Sequence, residues 1–266
     1  MLLILFNHGW VKVAIPPGGR RRPETFKSLQ PIRPAVLTLI LADAELELVP
    51  EAIAGHPAVR TSAKRRGRSP ASLLLDSSLH HPALRRFPEG ERRGRPDIAH
   101  LFVLLCLDSR LNLEGGLQTI VHTRNDDVLR FSRETRIPKN YIRFVGLMED
   151  LFAKGAVPED HPLITLERGV PLSKLLEGLP GEKWAFSERG ERIELFDRIS
   201  LVKGDLVALV GGFPHGDFRS PVDALCDHVI SIHPDALRAW TVTSEILVAF
   251  AHRSPETTKR PKADSR

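Results

Sequence analysis

Only two cysteines occur in the 266-residue chain, Cys106 and Cys226, far apart and in apolar surroundings. Such a pair builds neither a disulfide framework nor a Cys-rich zinc site, and a reducing compartment is the simplest reading. Long apolar runs are also missing: nothing approaches the roughly 18–20 residues of a membrane span. The opening Met1-Leu-Leu-Ile-Leu-Phe6 is too short for a signal h-region and lacks a basic stretch before it. A soluble, cytoplasmic protein with no membrane partner is expected. The 11 histidines form no H-E-x-x-H, and the adjacent His80 and His81 read as an exposed polar pair, so no metal site is expected. No G-x-S-x-G elbow supports an α/β-hydrolase.

What the chain does contain is ordinary globular material, 42% hydrophobic and 27% charged, which excludes wholesale disorder. The length suits one large domain with extensions. Charge is unevenly placed. Residues 1–35 carry six basic and one acidic residue, residues 36–59 four acids and no base, and residues 60–95 ten bases against three acids. Residues 96–251 are net acidic, with 17 bases against 23 acids. A basic block inside a chain whose larger half is acidic suggests a polyanion partner, nucleic acid by default.

Residues 1–34, with Pro16-Pro17-Gly18-Gly19 followed by Arg20-Arg21-Arg22, read as a flexible basic arm, and residues 252–266 as a mobile tail. Between them, Ala35–Ala42 reads as a buried strand and Asp43–Ala54 leans helical despite Pro50. Residues 60–70 read as irregular, 72–86 as a short helix, and 98–107 as strand or helix. A strand over 117–122 meets the turn Asn125-Asp126-Asp127, with 128–131 able to pair back. A helix follows over 141–154. Strands at 163–166, 206–210 and 228–232 precede a closing helix over 236–251. Apolar strands interleaved with helices predict an α/β domain with a buried, mostly parallel sheet.

Three segments carry candidate chemistry. Val210-Gly-Gly-Phe-Pro-His-Gly-Asp217 follows a buried strand, where glycines let a ligand approach backbone at the carboxyl edge of a sheet. Its spacing is not the dinucleotide fingerprint, and Pro214 blocks the helix that should begin there, so a nicotinamide enzyme is unsupported. Arg92-Arg-Gly-Arg-Pro-Asp97 sets arginine and carboxylate on either side of a proline, a pair that commonly fixes a loop. In Arg136-Ile-Pro-Lys-Asn-Tyr-Ile-Arg143, cations recur at relative positions 0, 3 and 7, a spacing suited to gripping successive phosphates from one helical face.

Taken in order, these segments give the chain a resemblance to the pseudouridine-N1-specific rRNA methyltransferases, ribosome-assembly enzymes of the SPOUT superfamily, and to their archaeal branch in particular. The likeness runs from about 35 to 251. It rests on Arg95-Pro-Asp-Ile98, Leu107-Asp-Ser109, Leu111-Asn112, Leu117–His122, Arg136-Ile-Pro138, Arg143-Phe144 and Gly146-Leu-Met148. It continues through Gly211-Gly-Phe-Pro-His-Gly216 and Ile230-Ser-Ile-His-Pro-Asp-Ala-Leu237. The resemblance implies a SPOUT methyltransferase domain over 35–251: a mostly parallel sheet flanked by helices, closing in a C-terminal trefoil knot and working as a homodimer.

It also implies S-adenosylmethionine as cofactor, bound by Gly211, Gly212 and Gly216 in one loop and by Ile230, Ser231, Ile232, His233, Pro234, Asp235, Ala236 and Leu237 in a second. Ala236 stands where the family often has proline. The RNA-gripping positions fall on Arg95, Arg136, Lys139 and Arg143, with lysine at 139 where arginine is frequent. Asp97 matches an aspartate that steadies the neighbouring arginine, and Arg95 with Asp97 forms the catalytic pair. The implied reaction is methyl transfer to N1 of a pseudouridine in small-subunit rRNA during ribosome biogenesis, with rRNA and further assembly factors as partners. A non-catalytic rRNA-binding assembly factor on the same scaffold is the alternative.

Overall fold

A computed structural model describes residues 35–253 and, before them, the backbone of two short segments within 2–13. Those two, β1 (Leu2–Phe6) and β2 (Gly9–Val13), pair as an antiparallel hairpin in a separate unit, Met1–Arg33. The rest of the expected arm, and the tail beyond Arg253, lie outside the described residues.

The main unit is built on an eight-stranded sheet. Its strands are β3 (Leu37–Ala44), β4 (Leu117–Thr123), β5 (Val128–Phe131), β6 (Ala156–Val157), β7 (Ile164–Glu167), β8 (Glu182–Arg192), β9 (Leu206–Gly211) and β10 (His228–Ser231), in the order β10-β8-β9-β3-β4-β5-β7-β6. The five strands from β10 to β4 are parallel, and β5, β7 and β6 add antiparallel. The parallel centre explains the continuous apolar runs in the sequence. In β3, Leu37, Leu39 and Leu41 enter the core on one face while Ile40 and Ala42 enter the core on the other. β9 does the same, with Leu206, Ala208 and Val210 opposite Val207 and Leu209. Strands covered on both sides cannot alternate polar with apolar. Truncating a side chain such as Leu209, with no exposed surface, would cost about 2–5 kcal/mol.

The helices, in chain order, are α1 (Glu51–Ala54), α2 (Pro57–Arg66), α3 (Ser77–Leu84), α4 (Pro96–Leu107), α5 (Arg110–Leu113), α6 (Tyr141–Lys154), α7 (Leu172–Glu177), α8 (Leu195–Ser200), α9 (Val222–Leu225) and α10 (Ala239–Ala251). Pro96 opens α4 at its first turn, where its missing N–H costs nothing, and Asp97 faces the positive end of the helix dipole. Asn140 caps α6 by accepting from the Arg143 amide, and Gly155 ends it in the left-handed region. α6 therefore covers the residues expected of it.

Two expectations need correction, and one strand went unforeseen. Asp43–Ala54 is not a helix: β3 runs to Ala44, residues 45–50 are extended, and only Glu51–Ala54 is helical after Pro50. Glu45 and Glu47 are buried there beside arginines from other segments, and their backbone groups are bonded to Gly212, Arg95 and Leu75 rather than along a helix. The irregular stretch at 60–70 is mostly α2, whose Val59 and Ala63 fill a small core with Leu73, Leu75 and Leu84. Strand β8 was not expected, because its second half is polar.

The basic block is also less free than its composition suggests. Of its ten cations, Arg66, Arg68, Arg92, Arg93 and Arg95 are ion-paired within the fold. Among the described residues, Arg60, Lys64, Arg65, Arg85 and Arg86 remain as solvent-facing charge.

Candidate active site

At the carboxyl end of β9 the chain leaves the sheet through Gly211 and turns over a cleft of about 310 Å³, at the small end of the range for small-molecule sites. Three segments wall it: residues 210–211 and 213–218 at the end of β9 and beyond, 186–188 in β8, and most of 230–242 from β10 into α10, while Arg95 and Ile98 at the start of α4 close its rim. The lining mixes apolar surface from Phe186, Ile230, Ile232, Leu237 and Trp240 with polar groups from Ser187, Glu188, Asp217 and Asp235.

Most of the predicted cofactor residues come together here. Gly211, Gly216, Ile230, Ser231, Ile232, His233, Asp235, Ala236 and Leu237 all line the cleft; Gly212 and Pro234 do not. The two adjacent glycines have different reasons for being glycine. A Cβ on Gly211 would meet the Phe213 ring at 2.5 Å, within the cleft wall, whereas one on Gly212 would meet the Cα of Ala44 at 2.5 Å. Gly212 is thus a packing glycine: its amide donates to Ala42 and its carbonyl accepts from the Glu45 amide. Gly216 has a φ of +79°, which L side chains rarely adopt.

The loop is held from beneath by groups that sequence reading missed. Arg92 donates from Nε to Glu45 (2.7 Å) and from Nη1 to the carbonyl of Asp217 (2.7 Å), and its guanidinium lies 4.0 Å from the centroid of Phe213. Glu45 takes a second arginine, Arg124, at 2.6 Å, and Arg124 reaches on to Glu89 at 2.6 Å. Asp43, at the end of β3, accepts from the amides of Arg219 (2.7 Å) and Ser220 (2.9 Å) and from the Ser220 hydroxyl (2.8 Å). The compositional hint was available: an acidic block over 36–59 directly precedes the basic block that supplies Arg92 and Arg93. The cleft-lining Phe186, Ser187 and Glu188 were missed with β8.

At the rim, Arg95 and Asp97 form a bidentate pair, Nε–Oδ1 2.8 Å and Nη2–Oδ2 2.7 Å. The hydrogen bonds to Asp97 hold the Arg95 guanidinium firmly in its charged form. Asp76 caps α3 and also accepts from the Tyr141 hydroxyl at 2.6 Å, so α3 and α6 are tied together close to this pair. Burial and the Asp76 hydrogen bond push the Tyr141 phenol up, so it stays protonated.

The predicted RNA residues split into two groups. Arg95 lines the cleft, whereas Arg136, Lys139 and Arg143 do not. Those three are exposed and form no ion pair among the described residues. Their segment is fastened to α4: His100 Nε2 lies 2.8 Å from the Pro138 carbonyl, and the His100 ring stacks on Phe144 at 4.4 Å. Pro96 and Asp97 precede His100 by four and three positions, so the basic segment sits on the α4 face that begins at the rim.

A family profile described as EMG1/NEP1 methyltransferase matches residues 39–251. A protein named ribosomal RNA small subunit methyltransferase Nep1 from Methanothrix thermoacetophila is 49% identical over 216 residues, covering 81% of this chain and 95% of its own. One with the same name from Thermococcus kodakarensis is 49% identical over 218 residues, covering 81% and 97%. Among solved structures, Nep1 of Archaeoglobus fulgidus bound to S-adenosylhomocysteine superposes with a TM-score of 0.71 at 38% identity, over 81% of this chain and 96% of the other. With the cleft and its rim built from the residues that carried the resemblance, the chain belongs to the EMG1/NEP1 methyltransferase family.

Proposed function

We propose that this protein is an S-adenosylmethionine-dependent methyltransferase that acts on N1 of a pseudouridine in small-subunit rRNA during ribosome biogenesis. The observation that carries the reading is one cleft joining the Gly211–Gly216 loop, the 230–237 loop and the Arg95–Asp97 pair. The cofactor fits the residues present. Gly211 and Gly216 line the cleft with backbone alone, Ile230, Ile232 and Leu237 suit an adenine, and Ser187, Glu188, Asp217 and Asp235 offer partners for ribose and amino-acid groups. When bound, the cofactor supplies an electrophilic methyl carbon on a sulfonium sulfur.

The chain's own part is positioning, which suits an in-line displacement. Uridine uses N1 to hold its ribose; pseudouridine is joined through carbon, leaving N1 as an N–H that becomes nucleophilic once its proton is lost. Arg95, held charged by Asp97, stabilises negative charge on the base as N1 gives up its proton to solvent water. Arg136, Lys139 and Arg143 hold the RNA backbone outside the cleft, and the target base reaches the cleft unpaired and extruded. In this reading Gly212 and Pro234 act through the fold of their loops.

Two further features belong to the proposal. The chain leaving β9 crosses β8 to reach the edge strand β10, then returns to α10, which packs on α4 and β9; that return supports the trefoil knot. α4 and α10 also expose Leu101 and Val248 along a shared groove, an apolar face suited to an isologous homodimer. A cytoplasmic location and partnership with other assembly factors follow from the rRNA substrate; no described helix is long and apolar enough to cross a membrane.

The test uses two synthetic hairpins that differ only in uridine or pseudouridine at one position, with methyl transfer followed by mass spectrometry. Methylation of the pseudouridine hairpin alone is expected; equal methylation of both would move the acceptor to another atom. Calorimetry showing RNA binding without cofactor binding would make the protein a non-catalytic assembly factor.

A further inference from the structure

Ile142 is 72% exposed, the most exposed large apolar side chain among the described residues. One exposed isoleucine needs no explanation by itself. Its setting is what calls for one. It occupies the first turn of α6, next to Arg143 and three positions after Lys139, in the segment whose three cations are exposed and unpaired among the described residues. A surface built only for phosphates would gain nothing from an aliphatic group there, since a phosphate offers it no contact.

The residue also stands on a rigid base. Tyr141 before it is hydrogen-bonded to Asp76 at 2.6 Å, Phe144 after it is fully buried and stacked on His100, and Asn140 caps the turn. The β-branched side chain has few rotamers of its own. A stiff apolar side chain, fixed to a rigid element and surrounded by phosphate-binding charge, is the arrangement by which proteins part stacked bases. The neighbouring Tyr141 phenol lies close enough to interact electrostatically with Arg95 and Asp97 at the cleft rim, which puts the first turn of α6 beside the route into the cleft.

We propose that Ile142 is a wedge that enters the RNA base stack next to the target nucleotide and holds the strand open while the target base occupies the cleft. The proposal rests on the rRNA-methyltransferase reading above. It makes Ile142 a positioning residue: it touches a neighbouring base and acts on the reaction only by keeping the target extruded. Its importance should scale with how firmly the target is stacked in the free RNA, because a stacked base must be opened before it can enter the cleft and an unstructured strand presents it already free.

The experiment compares the full-length protein with Ile142→Ala and Ile142→Leu on two pseudouridine RNAs, a folded hairpin and a short unstructured oligonucleotide. Each RNA carries 2-aminopurine beside the target, so that unstacking is seen as a fluorescence rise independent of turnover. Ile142→Ala should lower the ratio of hairpin to oligonucleotide kcat by tenfold or more and abolish the fluorescence rise on the hairpin, while Ile142→Leu restores both. An unchanged ratio together with an unchanged rise would overturn the wedge. So would dissociation of a dimer by Ile142→Ala in sedimentation, which would make the side chain a subunit contact. If the native protein methylates neither RNA, the functional reading fails, but the fluorescence rise and its loss still decide the role of Ile142.

Discussion

Glu45 and Arg92, 47 positions apart, form a buried ion pair at 2.7 Å directly beneath the Gly-rich loop. Arg92 grips the far end of that loop through the Asp217 carbonyl, and the Glu45 amide grips its near end through Gly212. The loop's shape is therefore set from below, before any ligand arrives. Glu45→Gln should cost about 3–5 kcal/mol of stability, because it leaves buried Arg92 without its carboxylate and Arg124 with only Glu89 and the more distant Glu47. Arg92→Ala should also weaken S-adenosylmethionine binding by freeing residues 213–217. Denaturant melts and calorimetry check the two effects; a stable Arg92→Ala protein with native cofactor affinity would release the loop from this control.

The adjacent glycines should separate cleanly by mutation. Gly211→Val displaces Phe213, whose ring is pinned between Arg92 and Phe218, and should reduce cofactor affinity at least tenfold in a folded protein. Gly212→Ala instead drives a methyl into the backbone of Ala44 and should lower the melting temperature. Circular dichroism and calorimetry on both variants read the difference, and an equally stable Gly212→Ala protein would contradict it.

On the RNA face, Arg136→Ala and Arg143→Ala should each weaken RNA binding while leaving cofactor affinity as it is. Neither side chain lines the cleft. Loss of one phosphate contact should reduce the salt dependence by about 0.7–0.9 in log–log slope. Filter binding at several salt concentrations measures it; an unaltered slope in both variants removes them from the interface.

Asp97→Ala leaves Arg95 without its bidentate partner. Turnover or RNA affinity should fall at least tenfold, with cofactor affinity much less affected. Asp97→Asn, which keeps one acceptor oxygen, should lie between. Single-turnover rates set beside calorimetric affinities distinguish these, and a selective loss of cofactor binding would refute the assigned role.

Stability should also carry a pH signature from His122. Its ring is buried with Nε2 3.3 Å from Asp126 and Nδ1 3.8 Å from Asp43, and burial lowers its proton affinity more than the two carboxylates raise it. His80 is shifted the same way by burial. Below about pH 6.5 the unfolded chain takes up protons that these folded histidines refuse. The unfolded state is then favoured, and stability falls by up to about 1.4 kcal/mol per pH unit for each group. Thermal melts between about pH 7.5 and about pH 5.5 should show a steeper loss in the native protein than in His122→Gln; parallel curves would exclude His122 as a source.

Much of this was readable from local pattern. The apolar strands at 206–210 and 228–232, the helix at 141–154 and the glycines after β9 announce themselves within a few residues. Glu45 and Glu47 do not, because their partners are Arg92, Arg93 and Arg124, at least 46 positions away. Read locally, two glutamates spaced by leucine look like an exposed helix; the folded chain puts them in its core. β8 was illegible for another reason. Its first half, with Trp184 and Ala185, is buried, but Ser187–Arg192 turns toward the cleft and solvent and is as polar as a loop.

That strand has one more property. β10 pairs with Trp184 and Ala185, and then with Glu191 and Arg192, so residues 186–190 have no counterpart in the edge strand. The ladder resumes just after Gly190, where a Cβ would come within 2.5 Å of Ile230 backbone. β8 thus bulges out by five residues between two consecutive residues of β10, and Phe186, Ser187 and Glu188 of that bulge form a wall of the cleft. A bound ligand should brace the bulge: amide exchange at 186–190 should slow as ligand is added. The whole domain should gain about 2.7 kcal/mol when free ligand reaches 100 times its Kd.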